Sequence, residues 1–168
     1  LIELGSAAFF NRLCTLVGNN ADELKKILKY RDISKMKEFV AKNNFDSKLN
    51  SLLLTLPTAF GSLESLESII ANIDDEILQE AMQHLKELYN SLDNQQSIIF
   101  DLGMVPTMKY YTGLMIKGYS DKCAQPIISG GRYDDLLPRF NKNVGAIGFC
   151  YHMNHILKAL DKEGENHD

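Results

Sequence analysis

The chain has 168 residues, 45% hydrophobic and 24% charged, with a formal net charge of −4 and a pI near 5.6. That is enough apolar material for one ordinary domain with a core, and the mild acidity provides no general attraction for nucleic acid. Cys14, Cys123 and Cys150 lie far apart with no CxxC pair, a pattern of free thiols in a reducing cytoplasm, and no run approaches the roughly 20 apolar residues of a membrane span.

The opening "LIELGSAAFF" has no initiator Met and no capping residue ahead of an already apolar pattern, so it reads as the start of a fragment whose N-terminal part is missing. "SAAFFNRLCTLVG" spaces Phe9, Phe10, Leu13, Leu16 and Val17 as a helix, with Gly18 as its stop. "NADELKKILKY" places Asp22 and Glu23 near a helix start and lysines further on, the order a helix dipole prefers. Asp32 offers a cap to a stripe of Ile33, Met36, Phe39 and Val40. "DSKLNSLLLTLP" is a short helix ending near Pro57, and "SLESLESIIANI" continues the pattern. The clearest helix is "DDEILQEAMQHLKELYNSL", apolar every three or four residues behind Asp74, Asp75 and Glu76. That acidic trio reads as helix N-terminal charge rather than a metal site, and His84 as a surface residue.

Glycine then becomes frequent: eight of the 11 lie from Gly103 onward, where turns and strands are expected. "SIIFDLGM" alternates with period two, "YYTGLMIKGY" is rich in β-formers, and "QPIIS" is a short strand entered through proline. "VGAIGFCY" reads as a buried strand whose Gly145 and Gly148 admit something close to the backbone. "HMNHILKAL" is a final helix and "DKEGENHD" a charged, mobile tail. Helices followed by hairpin-connected strands make an α+β fold with a mainly antiparallel sheet.

No P-loop, GxGxxG, HExxH or GxSxG is present, and no cofactor or metal is implied. His152 and His155 are three apart but lack a third ligand nearby. The chemistry concentrates in "KYYTG" and "GGRYDDL". Neighbouring tyrosines at the head of a strand point to opposite faces, so one of Tyr110 and Tyr111 presents a phenol to a pocket. Gly130 and Gly131 expose N–H groups, Arg132 supplies a forked cation, and Asp134 and Asp135 supply acceptors, a set suited to a small zwitterion. The same residues equally describe a hairpin turn with a positive-φ Gly131, braced by Arg132 and Asp134.

"DLGMVPTMKYYTGLMIKGY" (101–119) and "GGRYDDLL…VGAIGF" (130–149) resemble, in order and spacing, two histidine-specific motifs and the start of motif 3 of histidyl-tRNA synthetases. The resemblance implies the C-terminal part of a class II aminoacyl-tRNA synthetase-like antiparallel sheet, with a helical N-terminal half. With the change in glycine content and period, the chain divides into a helical segment over 1–96, a sheet portion with a closing helix over 97–160, and a mobile tail over 161–168. It implies a histidine pocket carried by Tyr110, Tyr111, Gly130, Gly131 and Tyr133, with Arg132 and Asp134 bracing the turn. Two departures count against synthetase activity. The arginine of the R-G-L-D-Y-Y pattern is replaced by Pro106 and its aspartate by Lys109, and the Glu and Arg that follow in motif 3 are Asn154 and His155. Neither Pro106 nor His155 supplies a permanently charged fork to an activated phosphate, and losing one such group costs on the order of 10²–10³ in rate.

Motifs kept without their cations are similar to the synthetase-derived regulatory subunits of ATP phosphoribosyltransferase, the first enzyme of histidine biosynthesis. That likeness implies a non-catalytic subunit of a hetero-oligomer. Its partner would be a short-form catalytic subunit, its ligand histidine, and its self-association would run through the missing N-terminal part. The alternatives are a fragment of a divergent histidyl-tRNA synthetase and a free-standing paralogue of other function.

Overall fold

The first residues are a strand. In this computed structural model, which describes residues 1–71 and 73–164, β1 (Ile2–Ser6) lies inside the sheet and feeds directly into α1 (Ala7–Val17). This corrects the all-helical expectation for 1–96. The partners of β1 come from the far half of the chain: β3 (Ile98–Asp101) runs parallel to it and β4 (Leu114–Ser120) antiparallel. Ser6 ends the strand and caps the helix, its Oγ accepting from Phe9 N at 3.2 Å.

The helical layer otherwise follows its sequence signals. It comprises α2 (Ala21–Tyr30), α3 (Ile33–Lys42), α4 (Ser47–Thr55), α5 (Leu63–Ile70) and α6 (Glu76–Asn90), with a 3₁₀ turn at Leu56–Thr58 where Pro57 ends the fourth. Asp32, Asp46, Ser62 and Asp75 each cap a helix by accepting from a backbone N–H. Their apolar stripes meet the sheet in one core that includes the fully buried Leu13, Leu24, Met36, Leu53 and Phe100. Asp75 also receives Arg12 in a forked pair, Nη2 to Oδ2 at 2.8 Å and Nε to Oδ2 at 3.0 Å, tying α6 to α1.

The sheet order is β2-β3-β1-β4-β5-β6, where β2 is the two-residue Phe60–Gly61, β5 is Cys123–Arg132 and β6 is Ile147–Tyr151. Every neighbouring pair is antiparallel except β1–β3. Three expectations are corrected in this half. The "GGR" stretch is strand, not turn: Gly130 and Gly131 pair with β4 and β6, and neither has positive φ. β6 is an exposed edge strand, because only β5 flanks it. The tail expected from 161 begins within α7 (Met153–Gly164); residues 165–168 lie outside the described residues.

Candidate functional site

Strand alternation sorts the "GGRYDD" residues onto two faces. The cross-strand register places Gly5, Met115, Gly131 and Gly148 in one row across the sheet, and Ser6, Leu114, Arg132 and Ile147 in the next, on the opposite face. In the first row Gly131 and Gly148 lie under tyrosine rings, and Gly5 under Met104. A Cβ on Gly131 would come within 3.1 Å of the Tyr111 ring and 2.7 Å of Leu114 O, and one on Gly148 within 2.9 Å of Tyr133 Oη. Glycine here serves close approach, not a left-handed conformation.

Tyr110 and Tyr111 precede β4 in a turn closed by Tyr111 N donating to Met108 O at 3.3 Å. They therefore do not alternate across a strand. The Tyr110 ring meets Tyr111 edge-to-face at 5.3 Å and Tyr133 at 5.4 Å, so three predicted tyrosines form one aromatic group. Tyr111 also packs on Ala7, Met104 and Met115. Burial, then neighbouring Tyr110, pushes its phenol above the ordinary tyrosine range, so it stays protonated at neutral pH. Beneath it Met104, Met115, Lys117, Ser129 and the Gly130 backbone enclose a cavity of about 10 Å³, room for about one water. A larger ligand needs Tyr111 or Met104 to move.

Arg132 and Asp134 are not in this group. Arg132 Nε donates to Asp134 Oδ1 and Oδ2 at 3.0 and 2.9 Å, and Asp134 N donates to Thr112 Oγ1 at 2.9 Å. They line a groove between α6 and the sheet, with Glu80, His84 and Ile147. Gly130 likewise turns its missing side chain away, toward Phe149 and Gly148 O, where a Cβ would sit 2.5 Å from both. The period of two thus puts the Arg132 side chain and the open face of Gly131 on opposite sides of the sheet.

A buried polar cluster beside the tyrosines was not foreseen. Asp101, 2% exposed, accepts from Arg31 Nη2 at 2.6 Å, and its Oδ1 accepts from Gly103 N at 2.9 Å, shaping the turn that carries Met104. Glu3 accepts from Tyr119 Oη at 2.9 Å. Burial pushes the Asp101 carboxyl upward against the pull of Arg31, while burial and Glu3 push the Tyr119 phenol far above its usual range. Arg31 lies over the Phe60 ring at 4.9 Å, and its Nη1 is buried without a hydrogen-bond partner. The only sequence signal was an aspartate in an apolar strand; its cation arrives from the end of α2, at a residue with φ 50°.

His152 Nε2 and Ser129 Oγ are 2.8 Å apart, and His155 Nδ1 is 2.7 Å from Pro126 O, so both imidazoles sit against β5. His84 and Glu80 are exposed on α6. Among the described residues no group of three or more His, Cys, Asp or Glu side chains is placed to hold a metal ion, and no helix is long and apolar enough to cross a membrane.

Helices packed beside a mainly antiparallel sheet whose other face carries glycines roofed by tyrosines define a class II synthetase-like core. A family model described as histidyl-tRNA synthetase matches residues 1–156, and the chain belongs to that family. It is 45% identical, over 97% of its length, to an ATP phosphoribosyltransferase regulatory subunit of Lactococcus lactis subsp. lactis (strain IL1403), and covers 49% of that protein. A crystal structure described as an ATP phosphoribosyltransferase regulatory subunit/histidyl-tRNA synthetase from Bacillus halodurans superposes with a TM-score of 0.83 at 30% identity, over 95% of this chain and 44% of the other. The fold is also that of a chain in the ATP phosphoribosyl transferase (HisG:HisZ) complex from Thermotoga maritima, with a TM-score of 0.58 at 17% identity, over 90% of this chain and 53% of that one. The chain thus spans about half the length of the curated relatives it matches.

Proposed function

We propose that this chain is part of a non-catalytic regulatory subunit of ATP phosphoribosyltransferase, needed by a short-form catalytic subunit for activity and for feedback inhibition by histidine. The observation that carries the reading is the identity to a named regulatory subunit across nearly the whole chain. The site's chemistry supports it. Where the resemblance expects an ATP-binding arginine stands His155, its ring committed to Pro126 O on β5. Where it expects the first arginine stands Pro106, which has no side-chain donor at all. In this reading Tyr110, Tyr111, Gly131 and Tyr133, with the Gly130 backbone, hold an imidazole or its amino-acid frame once the small cavity opens. Self-association belongs to the part of the parent protein outside this chain.

The test mixes the full-length parent with the short-form catalytic subunit of the same genome and follows phosphoribosyl transfer while histidine is titrated. Activation by the parent, reversed by histidine, is expected. No association and no effect would overturn the proposal. A second reading, a divergent histidyl-tRNA synthetase, draws on the family model that spans residues 1–156; histidine-dependent ATP–pyrophosphate exchange or tRNA charging by the parent would favour it.

A further inference from the structure

The turn that closes the tyrosine cavity is held from the helical layer. Buried Met104 packs with Tyr111, Met115 and Ala7 and forms one wall of that cavity. Its backbone has little freedom. Gly103 N donates to Asp101 Oδ1 at 2.9 Å and Met104 N to Asp101 O at 3.4 Å. A Cβ on Gly103 would lie 2.7 Å from Leu56 O, and one on Gly5 would lie 2.9 Å from the Met104 Cβ, so the turn is packed on both sides. Asp101 is itself fixed by Arg31, whose Nη2 donates to Oδ2 at 2.6 Å. The two oxygens of one buried carboxylate thus divide their roles: Oδ1 sets the turn and Oδ2 receives the arginine.

Arg31 occupies a position that a cation does not favour. It ends α2 in the left-handed region, φ 50° and ψ 40°, with its N–H returning to Ile27 O and Leu28 O, a conformation that glycine ordinarily supplies. Among the described residues the other non-glycine with positive φ is Asn141, a residue type that tolerates it. The guanidinium lies 4.9 Å over the Phe60 ring, and its Nη1 is buried without a hydrogen-bond partner. A strained backbone and an orphaned donor both act against the fold. What they secure is the carboxylate that sets the turn.

We infer that Arg31 is a positioning residue for the tyrosine cavity: through Asp101 it clamps the Gly103–Met104 turn in the closed position, and the cavity admits a ligand when that clamp gives way. The inference rests on the reading of the cavity as a histidine site, and adds which wall moves and what restrains it. Tyr111 is the stiffer wall, braced by the Tyr110 ring at 5.3 Å, which in turn meets Tyr133 at 5.4 Å. Met104 is an unbranched side chain that repacks readily. The clamp has a signed consequence. A ligand that needs a minor open state binds with its intrinsic affinity scaled down by that state's population, so weakening the clamp tightens apparent binding. A residue that only stabilised the fold would leave affinity unchanged or lower it.

Amide hydrogen exchange and histidine calorimetry on the full-length parent test this, with Arg31→Met, Arg31→Lys and, as a control, Arg12→Gln at the ion pair with Asp75. Without ligand, the Gly103 amide is expected to exchange roughly tenfold faster in Arg31→Met than in the unaltered protein. Arg31→Lys should fall between the two, since it restores the charge without the fork, and Arg12→Gln should leave Gly103 unchanged. Histidine affinity should rise in the same order, by up to the same factor. Asp101→Asn keeps an oxygen for the Gly103 N–H and strands no carboxylate, and it carries the same expectation where Arg31→Met does not fold. Gly103 exchange that is unaltered, or faster only together with amides throughout the core, would overturn the inference. So would unchanged or weaker histidine binding in variants whose Gly103 exchange is faster. Absence of histidine binding by the unaltered parent would instead strike the functional reading, and ligand-free exchange at Gly103 would still decide the clamp.

Discussion

β1 and β6 are strands of five residues each, and both carry glycine among apolar side chains. β1 lies between β3 and β4, with Leu4 buried at 3% exposure; β6 lies at the edge, with Phe149 exposed at 65%. Composition alone would have ranked them the other way, since "IELGS" contains a glutamate and a serine and "IGFCY" neither. The difference teaches that burial in a sheet is a property of the neighbours. Glu3 is tolerated inside because Tyr119 and Arg31 reach it, whereas the apolar side chains of β6 stay exposed because one strand alone flanks them.

The largest effect is expected where the core closes over the inner strands. Phe100→Ala should cost about 3–5 kcal/mol by leaving a cavity beneath the helices, read as a fall in the denaturant midpoint; a change below half a kcal/mol would deny β3 its central place. Gly131→Val should follow at about 1–3 kcal/mol, because its side chain meets Leu114 O and the Tyr111 ring. The variant also separates steric from conformational causes. Gly131→Asn, at a position requiring positive φ, would be tolerated; here it should destabilise nearly as much as valine does.

A smaller, pH-dependent term belongs to the helical layer. The Arg12 guanidinium holds the Asp75 carboxyl below its ordinary value, so its contribution is complete above about pH 4 and is lost as pH falls through the lower folded value. Asp75→Asn keeps a capping oxygen but loses the ion pair. Its stability deficit should be full at pH 7 and vanish in acid, and a deficit independent of pH would show that the pair contributes nothing. The smallest effect is expected at the edge: Phe149→Ser in this 168-residue chain should change stability by no more than about 0.5 kcal/mol. A larger loss would mean that the β6 face is already covered, and the comparison with β1 would fail. Tyr111→Phe should leave stability unchanged while altering histidine affinity in the full-length parent; unaltered affinity would make the tyrosine group architectural only.

Much of the helical layer was legible because its signals are local. Asp32 and Asp75 sit where their carboxylates reach N–H groups within three residues, Pro57 interrupts its own helix, and the stripe from Leu78 to Leu85 repeats at the helical period. The tyrosine and glycine residues of the candidate site were also legible, as a set of types in a spacing. What they do to one another was not. The glycines were read as turn formers, yet they lie in an extended strand and accommodate rings from elsewhere in the chain. Arg132 adjoins them in sequence, and the period of two places it on the other face, paired with Asp134.

The amino-acid sequence by itself determined where helices start and stop, which half carries strands, and which side chains mark the candidate site, because caps, periodicity and turn residues act over a few positions. Only the tertiary structure decided that the first residues are a central strand, that Arg31 neutralises a buried Asp101, and that β6 stands open at its edge. Those outcomes depend on pairing between segments far apart along the chain, and no local propensity encodes which strand will arrive alongside.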